Sequence, residues 1–173
     1  MEYSLLERTI EGELIPLARD AGMGVLPWSP LKSGYLSGTY TRERPTPPGA
    51  RRVAGLGAPS EAQFDVIEAV AAVAEEIGTS SAAVALSWVR SRPGVGSTLI
   101  GPRTLGHLEA NLVGLEVELT AEQTARLDEI SAPKLNFPFD LNRQVAAMLK
   151  YAGATIDGER SGVYPPLLNT ARY

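Results

Sequence analysis

An indole and two hydroxyl groups lie at the end of a short apolar run near the start of the chain. The run, residues 25–28, stands between Gly24 and Pro30. A run this short and uniformly apolar predicts a strand buried on both faces, which is typical of parallel sheets. Ligands in such folds bind beyond the carboxyl ends of the strands. The candidate ligand contacts at this end are therefore Trp28, Ser29, Leu31 and Ser33.

Arg103 lies in a second turn of the same kind. Residues 97–100 form another short β-branched run, and Thr104 is suited to cap a helix that continues to about Val113. Free backbone N–H groups at the start of such a helix attract anions, and the planar guanidinium of Arg103 suits a phosphate. The alternative for Arg103 is a solvated turn residue. The alternative for Trp28 is a large core side chain.

Helical patterns separate these two turns and follow the second. The apolar positions of a first helix, which ends at Gly22, are Ile10, Leu14, Leu17, Ala18 and Ala21. A capping box at residues 60–63 begins the next helix, whose predicted buried face is Phe64, Ile67, Val70, Ala71, Ala74 and Ile77. Residues 83–95 predict a further helical segment, and Thr120 begins a helix that ends near Ile130.

Two segments show neither a helical nor a strand-like pattern. Residues 42–52 hold four arginines against one glutamate and include three prolines, so they form a loop that either faces an anion or is a solvated linker. After Ser131, scattered prolines and glycines predict an irregular tail.

Composition narrows the class of protein. The chain has 173 residues, a formal net charge of −4, no cysteine and one histidine. These counts argue against a nucleic-acid partner, disulfides and a zinc site. No stretch reaches the roughly 20 apolar residues of a membrane span, and no basic signal sequence begins the chain. We therefore expect a cytoplasmic protein that binds no metal, membrane or nucleic acid.

Taken together, these segments resemble the aldo-keto reductases, a family of NADPH-dependent (β/α)8 barrels. Residues 3–8 resemble the sixth strand and turn of the family, residues 24–38 the seventh strand and its long loop, and residues 97–112 the eighth strand with the cofactor-binding helix. The resemblance implies an α/β fold, an incomplete (β/α)8 TIM barrel. Residues 1–131 would hold about the last three strand-helix units, and residues 132–173 an irregular C-terminal tail.

The resemblance also implies how NADPH would be held. Trp28 would stack on the nicotinamide ring, and the loop after it would line the pyrophosphate and close over the dinucleotide. The second turn and its helix would hold the 2′-phosphate and the adenine. Many relatives differ at the positions of His107 and Ala110, so we expect weaker adenine contacts. The implied cofactor-binding residues are Trp28, Ser29, Leu31, Ser33, Gly34, Leu36, Arg51, Gly101, Arg103, His107 and Asn111.

The catalytic Asp, Tyr, Lys and His of the family lie in the first half of the barrel, and the chain is expected to begin after the matching positions. No catalytic residue is therefore assigned, and the residues near the site that could be mistaken for one are interpreted as packing or loop residues: Tyr3, Lys32, Tyr35 and Tyr40.

The parent reaction is the NADPH-dependent reduction of an aldehyde or ketone, and a small carbonyl substrate is expected only if the barrel is completed. The alternatives are a non-catalytic NADP(H)-binding or interaction module, and a mis-called or decayed gene fragment. Strand edges left without neighbours also predict self-association.

Overall fold

A computed structural model of the chain describes residues 1–48 and 57–135. Beyond these it describes residues 137–139, 141, 145, 153–156, 158–160 and 162. The chain divides into two compact units, Met1–Pro133 and Lys134–Tyr173, and each is described by itself.

Five α-helices are found among the described residues of the first unit. They are α1 (Leu14–Asp20), α2 (Glu61–Ile77), α3 (Ser81–Arg90), α4 (Leu105–Leu112) and α5 (Ala121–Ile130). Short 3₁₀ turns cover Thr9–Glu11, Lys32–Ser37 and Val113–Leu115. Their order along the chain agrees with the helical patterns of the sequence.

Side-chain caps begin four of these helices. Ser60 and Thr120 form capping boxes with Gln63 and Gln123, as the sequence predicts. The predicted cap at Thr104 is also confirmed, because its hydroxyl accepts a hydrogen bond from the backbone N–H of His107 at 3.2 Å. Ser80 caps α3 in the same way.

Two helices differ from their predicted apolar faces. The first predicted helix is split into a 3₁₀ turn and α1, so its buried residues are Ile10, Ile15 and Ala18, whereas Leu14 and Leu17 are exposed. In α2, Ala71 and Ile77 are exposed, and Val66 and Val73 are buried in addition to the predicted residues. The neighbours on both sides of each helix decide how wide its buried stripe is.

The segments predicted as strands lie side by side without forming regular strands. Residues 1–3 run parallel to residues 25–28, since the N–H of Trp28 donates to the carbonyl of Met1 at 2.8 Å. The N–H of Tyr3 donates in turn to the carbonyl of Trp28 at 3.2 Å. Among residues 1–48 and 57–133, only isolated bridges of this kind are present.

Residues 94–99 follow the other edge of residues 25–28. The N–H of Val25 donates to the carbonyl of Gly94 at 2.8 Å, and the N–H of Leu99 donates to the carbonyl of Pro27 at 2.8 Å. Pro27 has no N–H to continue the ladder, which is why the paired region stays short. Residue 95, predicted within a helix, instead forms a parallel bridge with Val25, since α3 ends at Arg90 before Pro93.

Burial alternates along residues 25–28, so the prediction of burial on both faces is wrong. Val25 is 2% exposed and Pro27 is fully buried, whereas Leu26 and Trp28 are 51% and 50% exposed. Successive side chains of an extended segment point to opposite sides. One side packs in the core of the first unit, and the other is uncovered by the described residues of that unit.

The core lies on the helical side. Trp88 of α3 is fully buried against Tyr3, with ring centroids 5.5 Å apart, and Leu127 of α5 is buried in the same cluster. The side chains of α2 that join it include Val70 and Val73. This cluster holds the segments that end at the candidate site.

The second unit contains a short hairpin where the sequence predicts only irregular chain. Strand β1 (Thr155–Ile156) pairs antiparallel with β2 (Glu159–Arg160), and Gly158 takes a left-handed φ of +84° between them. Throughout the part of the chain that the structure describes, no single helix is long and apolar enough to cross a membrane. Helices α2 and α3 pass that test only as a pair bent by 99°.

Candidate functional site

The turn after Trp28 has an unusual backbone. Ser29, Lys32 and Ser33 take positive φ angles of +57°, +45° and +55°, and Gly34 follows at +101°. A left-handed conformation costs a residue with a side chain roughly 1–2 kcal/mol, and such outliers cluster at functional sites. Hydrogen bonds hold the turn, including those from the N–H of Lys32 to the carbonyl of Ser29 at 2.8 Å and from the N–H of Gly34 to that of Leu31 at 2.9 Å.

Trp28 presents its side chain beside this turn. Its backbone is held on the Met1–Tyr3 segment, yet half of the residue is exposed. Within the described structure Trp28 is therefore not a buried core side chain. An indole in this position can stack on a planar ring.

The other residues predicted in this loop have different surroundings. Ser33 is exposed, and Ser29, Leu31 and Gly34 are half-buried. Leu36 is 1% exposed and belongs to the core, so its side chain does not reach the surface of the turn. Arg51 lies outside the described residues.

The second turn lies at the same edge of the unit. Residues 25–28 and 94–99 run parallel, so the turns after Trp28 and after Ile100 both follow the carboxyl ends of their segments. Arg103 is exposed and makes no hydrogen bond or ion pair with any residue that the structure describes. Among the described residues, its guanidinium is therefore left without a carboxylate or carbonyl partner.

The remaining candidates are Gly101 in that turn and two residues of helix α4. Gly101 and His107 are exposed and Asn111 is half-buried. His107 and Asn111 are four residues apart on α4, which places them on one face of the helix. The structure thus brings Arg103, His107 and Asn111 to the start and one side of a helix that buries none of its own residues.

Lys32, interpreted from the sequence as a packing or loop residue, forms ion pairs that the sequence did not predict. Its ammonium lies 2.9 Å from Glu2 Oε1 and 3.4 Å from Glu7 Oε2, and its side chain is only 16% exposed. Burial raises the pKa of Glu7, but hydrogen bonds from Thr9 and the charge of Lys32 outweigh it and hold that pKa below its ordinary value. No sequence spacing signals these pairs, because the partners are 30 and 25 residues apart.

Comparison with known proteins decides the family. The family model described as Aldo/keto reductase family matches residues 1–132. An uncharacterized oxidoreductase of Bacillus subtilis is 38% identical over 129 residues, which cover 75% of this chain and 38% of that protein. The chain belongs to the aldo/keto reductase family. The family implies a (β/α)8 barrel, and its members generally use NAD(P)H and carbonyl substrates.

Two further relatives show the range of names in this family. A probable aryl-alcohol dehydrogenase of Saccharomyces cerevisiae is 32% identical over 154 residues, covering 87% of this chain and 47% of that protein. A putative voltage-gated potassium channel subunit beta of Schizosaccharomyces pombe is 34% identical over 147 residues, covering 79% and 41%. The chain therefore spans less than half the length of these aldo/keto reductase relatives.

The tyrosines near the candidate site are buried in the packing of the first unit. The Tyr3 hydroxyl donates to Glu11 at 2.6 Å, and burial together with that carboxylate raises its pKa. The Tyr35 hydroxyl donates to the carbonyl of Gly57 at 2.8 Å, and burial followed by the neighbouring Tyr40 raises its pKa. Burial also raises the pKa of Tyr40. A raised pKa with a buried hydroxyl favours packing over proton donation.

The arginine-rich loop, residues 42–52, is described up to residue 48, and there one of its arginines contacts helix α2. Arg42 forms ion pairs with Glu61, Asp65 and Glu68 of α2, the last at 2.7 Å. Arg44 donates to the carbonyl of Thr39 at 3.2 Å. For Arg42 the anion-facing interpretation is wrong, since three carboxylates of α2 already accept from its guanidinium. For Arg44, whose guanidinium donates to the described residues through Nε alone, the interpretation stays a prediction.

Proposed function

We propose that this chain binds NADPH along the edge formed by the two turns, and that it supplies the cofactor side of an aldo/keto reductase that reduces a small carbonyl compound to an alcohol. The observation that carries the proposal is the half-exposed Trp28 beside a turn of left-handed residues. A stacking aromatic and a strained, well-bonded turn are what a planar ring with an attached diphosphate needs.

Arg103 supports the choice of NADPH over NADH. The 2′-phosphate of NADPH would gain a charge-assisted pair with a guanidinium that no described residue engages. NADH has no group for this contact. His107 and Asn111 would face the adenosine from the same helix, with Gly101 allowing the turn to approach it.

The uncovered apolar side chains support an incomplete barrel. Leu26, Trp28 and Leu99 are about half exposed on the paired segments, and α4 buries none of its residues. We propose that residues 1–131 hold the last three strand-helix units and that residues 132–173 form a tail. Further strand-helix units, in the same or another chain, would cover this side, and in their absence copies of the chain would associate through it. A cytoplasmic location stays a prediction.

The chemistry would be divided between this chain and those further units. The bound cofactor supplies a hydride for the carbonyl carbon. This chain would orient the nicotinamide by stacking one face on Trp28 and leaving the other open. We assign no proton donor to it, since the hydroxyls of Tyr3, Tyr35 and Tyr40 are buried in packing roles.

A second candidate is a non-catalytic NADP(H)-binding module. The buried tyrosines favour it for the chain alone, and the relative named as a channel subunit beta shows that proteins in this family carry names other than that of an enzyme. Absorbance loss of NADPH with saturating aldehyde separates the candidates. We expect no turnover from the chain alone, and turnover after mixing with an N-terminal half from a relative if the enzyme proposal holds.

Tryptophan fluorescence tests cofactor binding. The chain has two tryptophans, and Trp88 is fully buried, so quenching by NADPH should be lost in Trp28→Phe. Arg103→Ala should erase the preference for NADPH over NADH. Arg19→Ala is the matched control, because Arg19 is also exposed and makes no ion pair with the described residues. Equal affinity of the unmutated chain for both nucleotides would contradict the proposal.

A further inference from the structure

Lys32 reaches another segment with a charged side chain, whereas Leu31 of the same turn packs against the core. The φ of Lys32 is +45°, in a region that a lysine rarely occupies, and its neighbour Ser33 is at +55°. The backbone hydrogen bonds of the turn are local, joining residues three to five apart in the chain. They do not tie the turn to the neighbouring segment, whereas the Lys32 ammonium does.

Its partners stand at two points of that neighbouring segment. Glu2 forms the parallel bridge with Trp28, and Glu7 closes a tight turn with Ser4. Lys32 reaches both carboxylates, so its ion pairs connect the left-handed turn to the strand-like residues that also hold Trp28. Neither glutamate has another cationic partner among the described residues.

Lys32 could contact a phosphate of the ligand directly or hold the backbone of the turn in place, and the charge balance decides between these two roles. One ammonium shared by two carboxylates leaves the group with a net negative charge, which does not favour a direct contact between Lys32 and a phosphate. Withdrawing the lysine toward a ligand would leave two partly buried carboxylates unpaired. The group is suited to holding the backbone in place.

We infer that Lys32 is a positioning residue, whose ion pairs with Glu2 and Glu7 hold the turn of residues 29–34 in its left-handed conformation and thereby set Trp28, Ser29 and Ser33 for the nicotinamide and pyrophosphate of the dinucleotide. The identity of the ligand in this inference rests on the proposed function. The restraint of the turn rests on the ion pairs alone.

The first test needs no nucleotide. Lys32→Met keeps the length and the apolar stem of the side chain and removes its charge. Hydrogen exchange followed by mass spectrometry should show faster exchange of the amides of residues 29–36 in this variant, with the exchange of α2 and α3 unchanged as the measure of an intact fold. Unchanged exchange in residues 29–36 would overturn the inference.

The second test uses the sign of an affinity change. Glu2→Gln removes a negative charge near a polyanionic ligand, so electrostatics alone predicts tighter NADPH binding. The positioning role predicts weaker binding in Glu2→Gln and in Lys32→Met, by roughly threefold to tenfold, since partly exposed ion pairs contribute modestly. The double variant should be no weaker than Lys32→Met. Glu13→Gln is the charge-matched control. Glu13 is exposed and follows the 3₁₀ turn at Thr9–Glu11.

The outcomes separate the two proposals. Weaker binding in Lys32→Met with equal or tighter binding in Glu2→Gln would make Lys32 a direct phosphate ligand and overturn the positioning role. If the unmutated chain binds neither NADPH nor NADH, the proposed function fails, and the exchange experiment still decides whether Lys32 restrains the turn.

Discussion

The two tryptophans lie in regions of the first unit that are built in opposite ways. Trp88 belongs to the helical core, where α2, α3 and α5 close around it, and none of its surface is exposed. Trp28 belongs to the open edge, which we define as residues 25–28, residues 97–104 and helix α4. There Leu26, Trp28 and Leu99 are about half exposed, and α4 buries none of its residues.

Polar groups follow the same division. The Trp88 indole donates to Asp128 at 3.0 Å, and the guanidinium carbons of Arg8 and Arg92 lie 5.0 and 4.7 Å from its ring centroid. Arg103 at the open edge has no partner among the described residues. The helical core therefore supplies most of the buried contacts of the unit. The open edge leaves its aromatic ring half exposed and its cation without a described partner.

The same substitution at the two tryptophans gives the largest contrast. Trp88→Ala removes a fully buried ring and should cost about 3–5 kcal/mol of unfolding free energy. Trp28→Ala should cost about 1–2 kcal/mol, because half of the residue is already exposed to water. Urea denaturation followed by circular dichroism measures both. Equal losses would remove the distinction between the helical core and the open edge.

Asp128 tests whether ion pairs contribute to the helical core. Its carboxylate accepts from Trp88, pairs with Arg92 at 2.9 Å and lies 3.4 Å from Arg8. Asp128→Ala leaves partly buried guanidinium groups without this partner and should cost about 2–3 kcal/mol. Asp20→Ala, at an exposed position, should change the midpoint of urea denaturation little. A similar midpoint for the two variants would show that the pairs contribute nothing net.

Two glycines should respond to alanine with opposite signs. A Cβ at Gly114 would lie 3.1 Å from the carbonyl oxygen of Ala83 and 3.1 Å from Leu86 Cβ, so Gly114→Ala should destabilise by about 1–3 kcal/mol. A Cβ at Gly106 of α4 would meet nothing within 4 Å, so Gly106→Ala should stabilise by about 0.5–1 kcal/mol. Thermal melts of both variants measure the signs, and a gain at Gly114 would contradict the close approach seen there.

Self-association is the smallest effect expected, because it changes no contact within the unit. The uncovered Leu26 and Leu99 should make the 173-residue chain associate as its concentration rises. Light scattering should show this, and Leu26→Thr with Leu99→Thr should reduce it. Leu17→Thr, an exposed leucine of α1, is the control. A monomer at every micromolar concentration would mean that the open edge does not associate.

Helix starts and the family resemblance were predictable from the sequence. A cap joins a side chain to a backbone N–H three residues later, so Ser60, Thr104 and Thr120 mark their helices without any tertiary information. The motifs at residues 24–38 and 97–112 likewise carry the family resemblance, which the match over residues 1–132 confirms. The cofactor assignments made on those motifs stay predictions.

Burial and charge pairing were decided by the tertiary structure. The apolar run at residues 25–28 predicts two buried faces, but only one face meets the core, since burial depends on what the rest of the fold supplies. The arginine-rich loop suggested an anion site, yet Arg42 pairs with carboxylates of α2. Lys32 finds Glu2 and Glu7 across 30 and 25 residues. Local spacing determines which backbone groups a side chain can cap, whereas partners distant in sequence meet only when packing brings their segments together.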